Sequence, residues 1–360
     1  MTDKLRLLLL SPHLGTGGAE QTIALLARGL SHEKYELHLG LVTQKELAPE
    51  ATPSWVTVHL LGSKGVRTGA FRLLRLVRQL KPDLILSGVA QLNFLVLLLR
   101  PFFSRKTRVL VRQNAPVSSI LAFGGVPWYT HLLYRSLYPR ADQVICQSHA
   151  MANDLCREVG IQKERVAVLP NPVDIDSART ANKPAGRRPG QHLDRLPSQW
   201  MDAGPHLLAV GHLAPEKGFD LLLEAFAVVR GRFPQAELII SGSGPEESAL
   251  KAQCGSLGIE SAVRFPGRTE RPNTLYPQAS LFVLASRREG MPSALLEALA
   301  GNLPIVATPA SGDVIDLLLG RPGTWLAREV TSAALGAALL RALEELSPGQ
   351  RFRRSLRSVS

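Results

Sequence analysis

The stretch LFVLASRREGMPSALLEALA, residues 281–300, predicts a buried strand, a loop and a helix in succession. In the loop, Gly290 allows a ligand to approach the backbone closely, and Pro292 is suited to the first position of the helix. A helix that begins at the carboxyl end of a strand attracts phosphate to its free amides. Because a carboxylate beside a phosphate is repelled, we expect Glu289 and Glu297 to bind hydroxyl groups, those of a sugar and a ribose respectively. The alternative is a capped helix with two surface glutamates.

A second loop of this kind, VGHLAPEKGFD at 210–220, also follows a predicted strand and precedes a predicted helix. Lys217 lies at the transition from strand to helix, where a cation would meet a diphosphate. Gly211 and His212 precede it, directly after the strand. Considered alone, Lys217 would be interpreted as a solvated surface lysine. Its place in the same row as the other strand ends favours phosphate binding instead.

Two glycine-rich loops follow other predicted strands. SGSGPE at 241–246 contains a Gly-x-Gly pattern that begins at Gly242. The pattern alone is a weak indication of a binding loop, and its place in the same row of strand ends strengthens it. LGTGGAE at 14–20 does not have the Gly-x-Gly-x-x-Gly spacing of a dinucleotide site, and no acidic residue ends the second strand. We expect Gly17 and Gly18 to allow a donor phosphate or an acceptor to approach the backbone.

No metal and no organic cofactor is expected at these four loops. None of them contains an Asp-x-Asp pair, and the sequence shows no His/Cys cluster with metal-ligand spacing. The positive charge facing a diphosphate would then come from Lys217 and the helix amides.

The composition is that of a folded protein with two domains. At 360 residues, with 45% apolar and 20% charged residues, the chain exceeds one ordinary core. No stretch approaches the roughly 20 apolar residues of a membrane-spanning helix. The apolar run 7–10 is too short for a signal peptide and predicts a first strand. Three scattered cysteines argue against a disulfide framework, so we expect a cytoplasmic protein. A peripheral position on the inner face of the cytoplasmic membrane is compatible with this expectation.

Short apolar runs alternate with helical patterns, as is typical of parallel-sheet domains. The alternation stops near residue 170 and restarts at residue 206, and the polar stretch between is rich in Pro and Gly. We therefore predict an N-terminal domain at 1–175, a linker at 176–205, a C-terminal domain at 206–346 and an unpacked tail at 347–360. The fold class is α/β, with two Rossmann-like parallel-sheet domains facing each other across a cleft that holds the ligand. The predicted strands are 5–11, 36–42, 56–61, 83–87, 107–113, 142–146, 166–169, 206–211, 236–241, 262–265, 280–284, 304–307 and 324–327, and the predicted helices are 18–30, 68–80, 90–100, 127–138, 148–159, 218–230, 246–257, 293–300 and 333–346.

The net charge of +12 is concentrated in the first half of the chain. Residues 64–112 contain eleven basic residues and one acidic residue, Asp83. Within the predicted helix 68–80, Arg72, Arg75 and Arg78 alternate with leucines, a pattern that suits an anionic membrane surface. The alternative is an ordinary helix whose leucines pack on a core. Nucleic acid is not an expected partner. The segment lacks the aromatic interleaving of a single-strand platform, since its only aromatic residues are Phe71, Phe94, Phe102 and Phe103, and no helix-turn-helix or zinc pattern is visible.

Taken together, these motifs resemble the retaining, metal-independent glycosyltransferases of the GT-B fold, in particular family 4, over about residues 5–330. The motifs that match in order and spacing are the Glu289/Glu297 pair, Glu-Lys-Gly at 216–218, Gly-x-Gly-Pro at 242–245, Gly-Gly-Ala-Glu at 17–20 and Pro-Asn-Pro-Val-Asp at 170–174.

The resemblance implies transfer of a sugar from a nucleotide sugar, UDP- or GDP-linked, to a saccharide or lipid-linked saccharide acceptor. The donor is then a substrate, and no cofactor is implied. Glu289 and the backbone after it, including Gly290, Met291 and Pro292, would bind the donor sugar. Glu297 would hold the ribose, and a basic neighbour would join Lys217 at the diphosphate.

Three departures from the family pattern affect these roles. His212 stands where the family usually has Arg. The pocket histidine that many members carry after the strand at 107–113 is missing, and Arg112, Gln113 or Asn114 would have to take its place. We name Asn114 as the candidate among these three, and it joins Glu289 and Lys217 as a predicted catalytic residue. A C-terminal crossover helix is not recognisable after residue 346.

Two other functions stay open. Another sugar-nucleotide enzyme of the same fold, such as an epimerase or a phosphorylase-like enzyme, would convert the donor without an acceptor. A catalytically degenerate partner subunit would bind the donor without turnover.

Overall fold

The computed structural model describes residues 4–14, 18–42, 52–62, 69–122, 126–175, 204–268 and 275–346. Almost all of the predicted linker, the whole predicted tail and Gly17 lie outside these ranges. Backbone contacts divide the chain into two compact units, residues 1–172 and 173–360.

The N-terminal unit contains a seven-stranded parallel sheet in the order β3-β2-β1-β4-β5-β6-β7. Its strands are Leu5–Ser11 (β1), Tyr35–Leu41 (β2), Val56–Leu60 (β3), Leu84–Ser87 (β4), Arg108–Gln113 (β5), Gln143–Cys146 (β6) and Val166–Val168 (β7). Its helices are Gly18–Gly29 (α1), Ala70–Leu80 (α2), Ala90–Leu99 (α3), Val117–Ala122 (α4), Thr130–Leu137 (α5) and His149–Val159 (α6), with short 3₁₀ turns at Arg100–Phe102, Tyr138–Arg140 and Lys163–Arg165.

The C-terminal unit contains a six-stranded parallel sheet in the order β10-β9-β8-β11-β12-β13. Its strands are His206–Val210 (β8), Glu237–Ser241 (β9), Val263–Gly267 (β10), Leu281–Leu284 (β11), Ile305–Ala307 (β12) and Thr324–Leu326 (β13). Its helices are Phe219–Arg232 (α7), Glu247–Ser256 (α8), Ser293–Ala300 (α9), Gly312–Leu318 (α10) and Ser332–Glu345 (α11), with 3₁₀ turns at Pro215–Lys217, Glu260–Ala262 and Tyr276–Gln278.

Helices cover both faces of each sheet, which explains why the strands are nearly continuous apolar runs. In β11, Leu281 and Val283 pack on one face with α7, α8 and α11, whereas Phe282 and Leu284 pack on the other with α9 and α10. The N-terminal sheet is covered in the same way, by α1 on one face and by α2, α3, α5 and α6 on the other.

All thirteen predicted strands are confirmed, with ends that differ by one or two residues. The predicted fold class is confirmed as two Rossmann-like parallel-sheet units. The helices α4 and α10 were missed, because six or seven residues are too few to establish a helical period.

The predicted basic helix α2 packs on the core and also exposes arginines. Leu73 and Val77 are buried, whereas Arg75 and Arg78 are exposed. Arg72 donates hydrogen bonds to the carbonyls at the end of β3, at Leu61 and the next residue, so it has a structural role. No helix among the described residues is both long enough and apolar enough to cross a bilayer.

Candidate active site

The direction of chain progression reverses between β8 and β11, which are neighbours in the C-terminal sheet. In open parallel sheets, ligands bind at the carboxyl ends of strands where this reversal occurs. The loops that follow these two strands are 211–218 and 285–292, the two stretches singled out in the sequence. Lys217 in the first loop and Glu289 in the second are 72 residues apart in the chain and adjacent in the fold.

Lys217 and Glu289 meet at this edge of the sheet. The Lys217 ammonium lies 2.7 Å from Oε1 of Glu289, and the Ser286 hydroxyl donates a hydrogen bond of 2.6 Å to the same oxygen. The Glu289 side chain is 8% exposed and that of Lys217 is 25% exposed. The carboxylate is thus held in a nearly buried position by one cation and one hydroxyl, and no described residue donates a hydrogen bond to its second oxygen.

Arg287 ties the two loops together, a feature that sequence analysis missed. Its guanidinium donates two hydrogen bonds to the Asp220 carboxylate, at 2.7 and 2.5 Å, and a third of 2.8 Å to the Pro215 carbonyl. Its backbone amide donates to the Glu216 carbonyl at 2.8 Å. The hydrogen bonds from Arg287 lower the pKa of Asp220. This two-pronged contact fixes the turn that carries Lys217 relative to the loop that carries Glu289.

Two glycines permit the close approach of these loops. Gly218 has a φ of 62°, and a Cβ there would collide with the carbonyl of Ala285. Gly242 has a φ of 156°, and a Cβ there would collide with the carbonyl of Gly211. Gly242 therefore has a structural reason for its place in the motif, since no side chain fits there. At Gly211 a Cβ would meet only the side chains of Phe219 and Lys217, at 3.3 Å or more, so no such constraint applies to it.

Glu297 lies in the second turn of α9, as the sequence predicts, and is half-buried. Burial raises the pKa of Glu297, and a hydrogen bond from the Tyr276 hydroxyl to Oε2, 2.8 Å long, lowers it in part. Sequence analysis missed this tyrosine, because its neighbour is 21 residues away in the chain.

Pro292 caps α9 and does not occupy its first helical position. It has extended backbone angles, and its carbonyl accepts the amides of Leu295 and Leu296. No side-chain cap is formed at this end among the described residues. The phosphate role of the amides at this helix end stays a prediction. Gly290 and Met291 lie between Glu289 and this helix end.

His212 is exposed directly after β8, on the same loop as Lys217. On the N-terminal unit, Gly18 is the first residue of α1, whereas Gly17 lies outside the described residues.

The structure separates the three candidates for the missing histidine. Arg112 is 1% exposed and donates to Oδ1 of Asn171 at 2.7 Å, and burial lowers its pKa to about 10. Gln113 is also buried and accepts a hydrogen bond of 2.6 Å from the Tyr138 hydroxyl. Both side chains are therefore engaged in the interior of the N-terminal unit.

Asn114 is the remaining candidate, and it lies half-buried at the end of β5. Its amide nitrogen donates to the Gly88 carbonyl, after β4, and its Oδ1 accepts a hydrogen bond of 3.0 Å from Gln147, after β6. Asn114 thus links three strand ends, and its catalytic role stays a prediction.

The described residues contain no group of three or more His, Cys, Asp or Glu side chains that could hold a metal ion. An Asp-x-Asp pattern does occur at 174–176, outside the four loops, and Asp176 lies beyond the described part of the chain. Metal independence therefore stays a prediction.

Two family models match the chain. Residues 16–177 match Glycosyltransferase Family 4, and residues 194–357 match Glycosyl transferases group 1.

Among curated proteins, the chain is 27% identical over 310 residues to N-acetylgalactosamine-N,N'-diacetylbacillosaminyl-diphospho-undecaprenol 4-alpha-N-acetylgalactosaminyltransferase of Campylobacter jejuni, covering 82% of this chain and 78% of that one. It is 26% identical over 245 residues to the uncharacterized glycosyltransferase MJ1059 of Methanocaldococcus jannaschii, covering 66% of this chain. The chain spans 58% of the length of that relative and 32% of a glycosyltransferase of Haemophilus influenzae that is 42% identical over 112 residues.

Solved structures share the fold at low sequence identity. HepE of Anabaena, in complex with UDP and glucose, superposes with a TM-score of 0.76 at 20% identity, covering 95% of this chain and 90% of that one. Sucrose-phosphate synthase of Thermosynechococcus elongatus superposes with a TM-score of 0.77 at 16% identity, covering 95% and 90%. The family models, the relatives and the paired parallel sheets agree, and the chain belongs to the family 4-like glycosyltransferases of the GT-B fold.

Proposed function

We propose that the chain transfers a sugar from a UDP- or GDP-linked donor to an acceptor, with retention of configuration and without a metal ion. The observation that carries the proposal is the Lys217–Glu289 pair, which joins the two strand ends at the chain reversal of the C-terminal sheet. A cation and a carboxylate placed there match the two ends of a sugar diphosphate, whose phosphates need positive charge and whose hydroxyls need acceptors.

The donor would be held by three contacts of the C-terminal unit. The diphosphate binds Lys217, His212 and the first-turn amides of α9. The sugar hydroxyls bind Glu289, whose position Ser286 maintains when Lys217 turns toward the phosphates. The ribose hydroxyls bind Glu297.

In the reaction, the bond between the anomeric carbon and the diphosphate oxygen breaks, and the acceptor hydroxyl forms its new bond on the same face of the sugar. The acceptor proton passes to the departing phosphate oxygen. Lys217 and the helix amides stabilise the charge that develops on the leaving group, a role that preorganised dipoles and cations fill well in a dry site. Glu289 is assigned to sugar binding, so no covalent sugar intermediate is proposed.

The first experiment is a thermal-shift screen of nucleotide sugars, followed by transfer assays in EDTA with the donor that stabilises the protein most. Proton NMR of the product then reports the anomeric configuration. Retained configuration and full activity in EDTA support the proposal. An inverted product refutes retention, and activity that vanishes in EDTA and returns with magnesium refutes metal independence.

We propose a saccharide or lipid-linked saccharide as the acceptor. The Campylobacter jejuni relative carries diphospho-undecaprenol in its name, which supports the lipid-linked form. Such an acceptor would place the protein at the cytoplasmic face of the membrane, in polysaccharide or lipopolysaccharide assembly.

The surface proposed to contact anionic lipid is the outer side of α2. Arg75 and Arg78 are exposed there beside Phe71, whose side chain is 76% exposed. Each basic residue near such a surface contributes about 1 kcal/mol of attraction. Because Arg72 supports β3, the informative variant is Arg75→Glu with Arg78→Glu.

Co-sedimentation with vesicles containing phosphatidylserine tests this surface at low and high salt. The double variant is expected to lose binding, whereas Arg232→Glu with Arg341→Glu, the same charge change on the C-terminal unit, is expected to keep it. Equal binding of the wild type to neutral vesicles would contradict the proposal.

A donor-binding subunit without transferase activity is the second candidate. The observation in its favour is that Arg112 and Gln113 are both interior side chains, so neither substitutes for the missing histidine. Donor binding with neither transfer nor hydrolysis, across a panel of acceptors, would establish it. Conversion of the donor in the absence of acceptor would instead indicate an epimerase or a phosphorylase-like enzyme.

A further inference from the structure

Tyr276 places a hydroxyl group against the Glu297 carboxylate. It opens the 3₁₀ turn that precedes β11 and is 5% exposed, with its ring tilted against Phe282 at a centroid distance of 5.8 Å. Its oxygen lies 2.8 Å from Oε2 of Glu297 and 3.3 Å from the Ala294 carbonyl. The hydroxyl has one proton, and the shorter distance and the charge of the acceptor assign that proton to Glu297.

The contact leaves one oxygen of the carboxylate unused. Among the residues that the structure describes, Glu297 Oε2 receives the tyrosine hydroxyl, and Oε1 receives no hydrogen bond. A glutamate side chain has three rotatable bonds, and Tyr276 restricts them by fixing one oxygen. The free oxygen then points in a single direction, which is what recognition of two neighbouring hydroxyls requires.

We propose that Tyr276 is a positioning residue, which holds the Glu297 carboxylate so that its free oxygen accepts hydrogen bonds from the ribose of the nucleotide donor. This inference rests on the proposed function, in which Glu297 is the ribose-binding group.

The burial of the site gives the contact its importance. Burial raises the pKa of Glu297, and the hydrogen bond from Tyr276 opposes that effect. Without the hydroxyl, the carboxylate either turns toward solvent or takes up a proton, and a protonated carboxyl presents a donor where the ribose also presents donors. A hydrogen bond to a charged group is worth about 10- to 100-fold in an equilibrium constant, so its loss should be visible in nucleotide binding.

Packing alone does not explain a tyrosine at this position. Phenylalanine would make the same contact with Phe282, and a buried hydroxyl destabilises the fold unless it has a partner. If Tyr276 had only a structural role, its removal would change the affinity for ligands with and without ribose hydroxyls alike. If it positions Glu297, its removal lowers the affinity only for ligands that carry those hydroxyls.

The experiment measures the binding of UDP, or of GDP if the wild type prefers it, and of the corresponding 2',3'-dideoxy nucleotide by calorimetry. For Tyr276→Phe, we expect the affinity for the nucleoside diphosphate to fall about 10-fold or more and the affinity for the dideoxy form to stay within about 2-fold of wild type. Glu297→Gln should show the same selectivity, and the double variant should lose no more than Glu297→Gln alone, because both residues act on one contact. Tyr134→Phe, which removes another buried hydroxyl, is the control and should change neither affinity.

A second variant tests the same geometry without changing the tyrosine. Glu297→Asp withdraws the carboxylate from the hydroxyl by one methylene and should produce the same ribose-dependent loss.

The outcomes separate this inference from the proposed function. Equal losses for both ligands in Tyr276→Phe, or no loss, overturn the positioning role while Glu297→Gln still reports on the ribose. If Glu297→Gln loses no ribose-dependent affinity, or the wild type binds no nucleoside diphosphate, the proposed function itself fails, and the inference fails with it.

Discussion

Replacing Lys217 with alanine should lower both stability and activity, and the two losses should respond differently to a second substitution. The Glu289 carboxylate is 8% exposed and lies 2.7 Å from the Lys217 ammonium, so Lys217→Ala leaves a nearly buried charge with the Ser286 hydroxyl as its remaining described partner. Breaking a buried ion pair costs about 3–5 kcal/mol. Because Lys217 is 25% exposed, we reduce this to about 2–3 kcal/mol of unfolding free energy, or roughly 4–12 °C in melting temperature.

The double variant Lys217→Ala with Glu289→Gln removes the stranded charge and should recover most of this stability. Activity should not recover. Loss of the cation at the leaving diphosphate is expected to lower turnover by roughly 10²–10³-fold, the size of effect seen when one preorganised group of this kind is removed.

Thermal unfolding and transfer rates of the same preparations provide the assay, with Lys251→Ala as the control. Lys251 forms an ion pair of the same length, 2.7 Å, with Glu247, but the two side chains are 54% and 35% exposed. Its loss should therefore cost less than about 1 kcal/mol. The reasoning is refuted if the two lysine variants are equally stable, or if the double variant is as unstable as Lys217→Ala.

Three further predictions follow from the same site. Since the folded-state pKa of Glu297 is raised, its contribution to stability is present at low pH and is lost as pH rises through that pKa. The melting temperature of Glu297→Gln should therefore rise relative to that of wild type between pH 4 and pH 8. A difference that stays constant with pH would contradict the burial effect. Arg287→Lys keeps the charge but not the paired hydrogen bonds to Asp220, so turnover should fall about 10-fold while the melting temperature falls by only a few degrees; unchanged turnover would show that the link between the two loops is dispensable. Gly242→Ala would push a Cβ into the carbonyl of Gly211, and the expected loss of several degrees in melting temperature can be checked by calorimetry against Gly255→Ala, where a Cβ meets open space.

The fold could be predicted because the central strands are short apolar runs that are buried on both faces. β8 and β11 illustrate this, since each alternates its side chains between two separate clusters of the core. The helices α4 and α10 could not be predicted, because they have too few residues to show a period.

The contacts of the candidate site were less predictable than its residues. Glu289 and Lys217 were identified from glycines and helix starts, but their ion pair depends on the sheet order, which makes β8 and β11 neighbours. The contact of Arg287 with Asp220 joins residues 67 positions apart, and no local pattern marks it.

Among the three candidates for the missing histidine, sequence position alone could not distinguish Arg112 from Asn114, because both stand at the end of β5. The difference is tertiary: the Pro-Asn-Pro segment after β7 brings Asn171 to the Arg112 guanidinium, and Arg112 is buried.

The most direct test of the account is the transfer rate of Glu289→Gln at saturating donor, compared with wild type under the same conditions. Glu289 is assigned to the donor sugar and not to the nucleotide. Turnover is therefore expected to fall by at least about 100-fold, with the affinity for the free nucleoside diphosphate close to that of wild type. Turnover near the wild-type rate would contradict the assignment of this strand end as the site of sugar transfer.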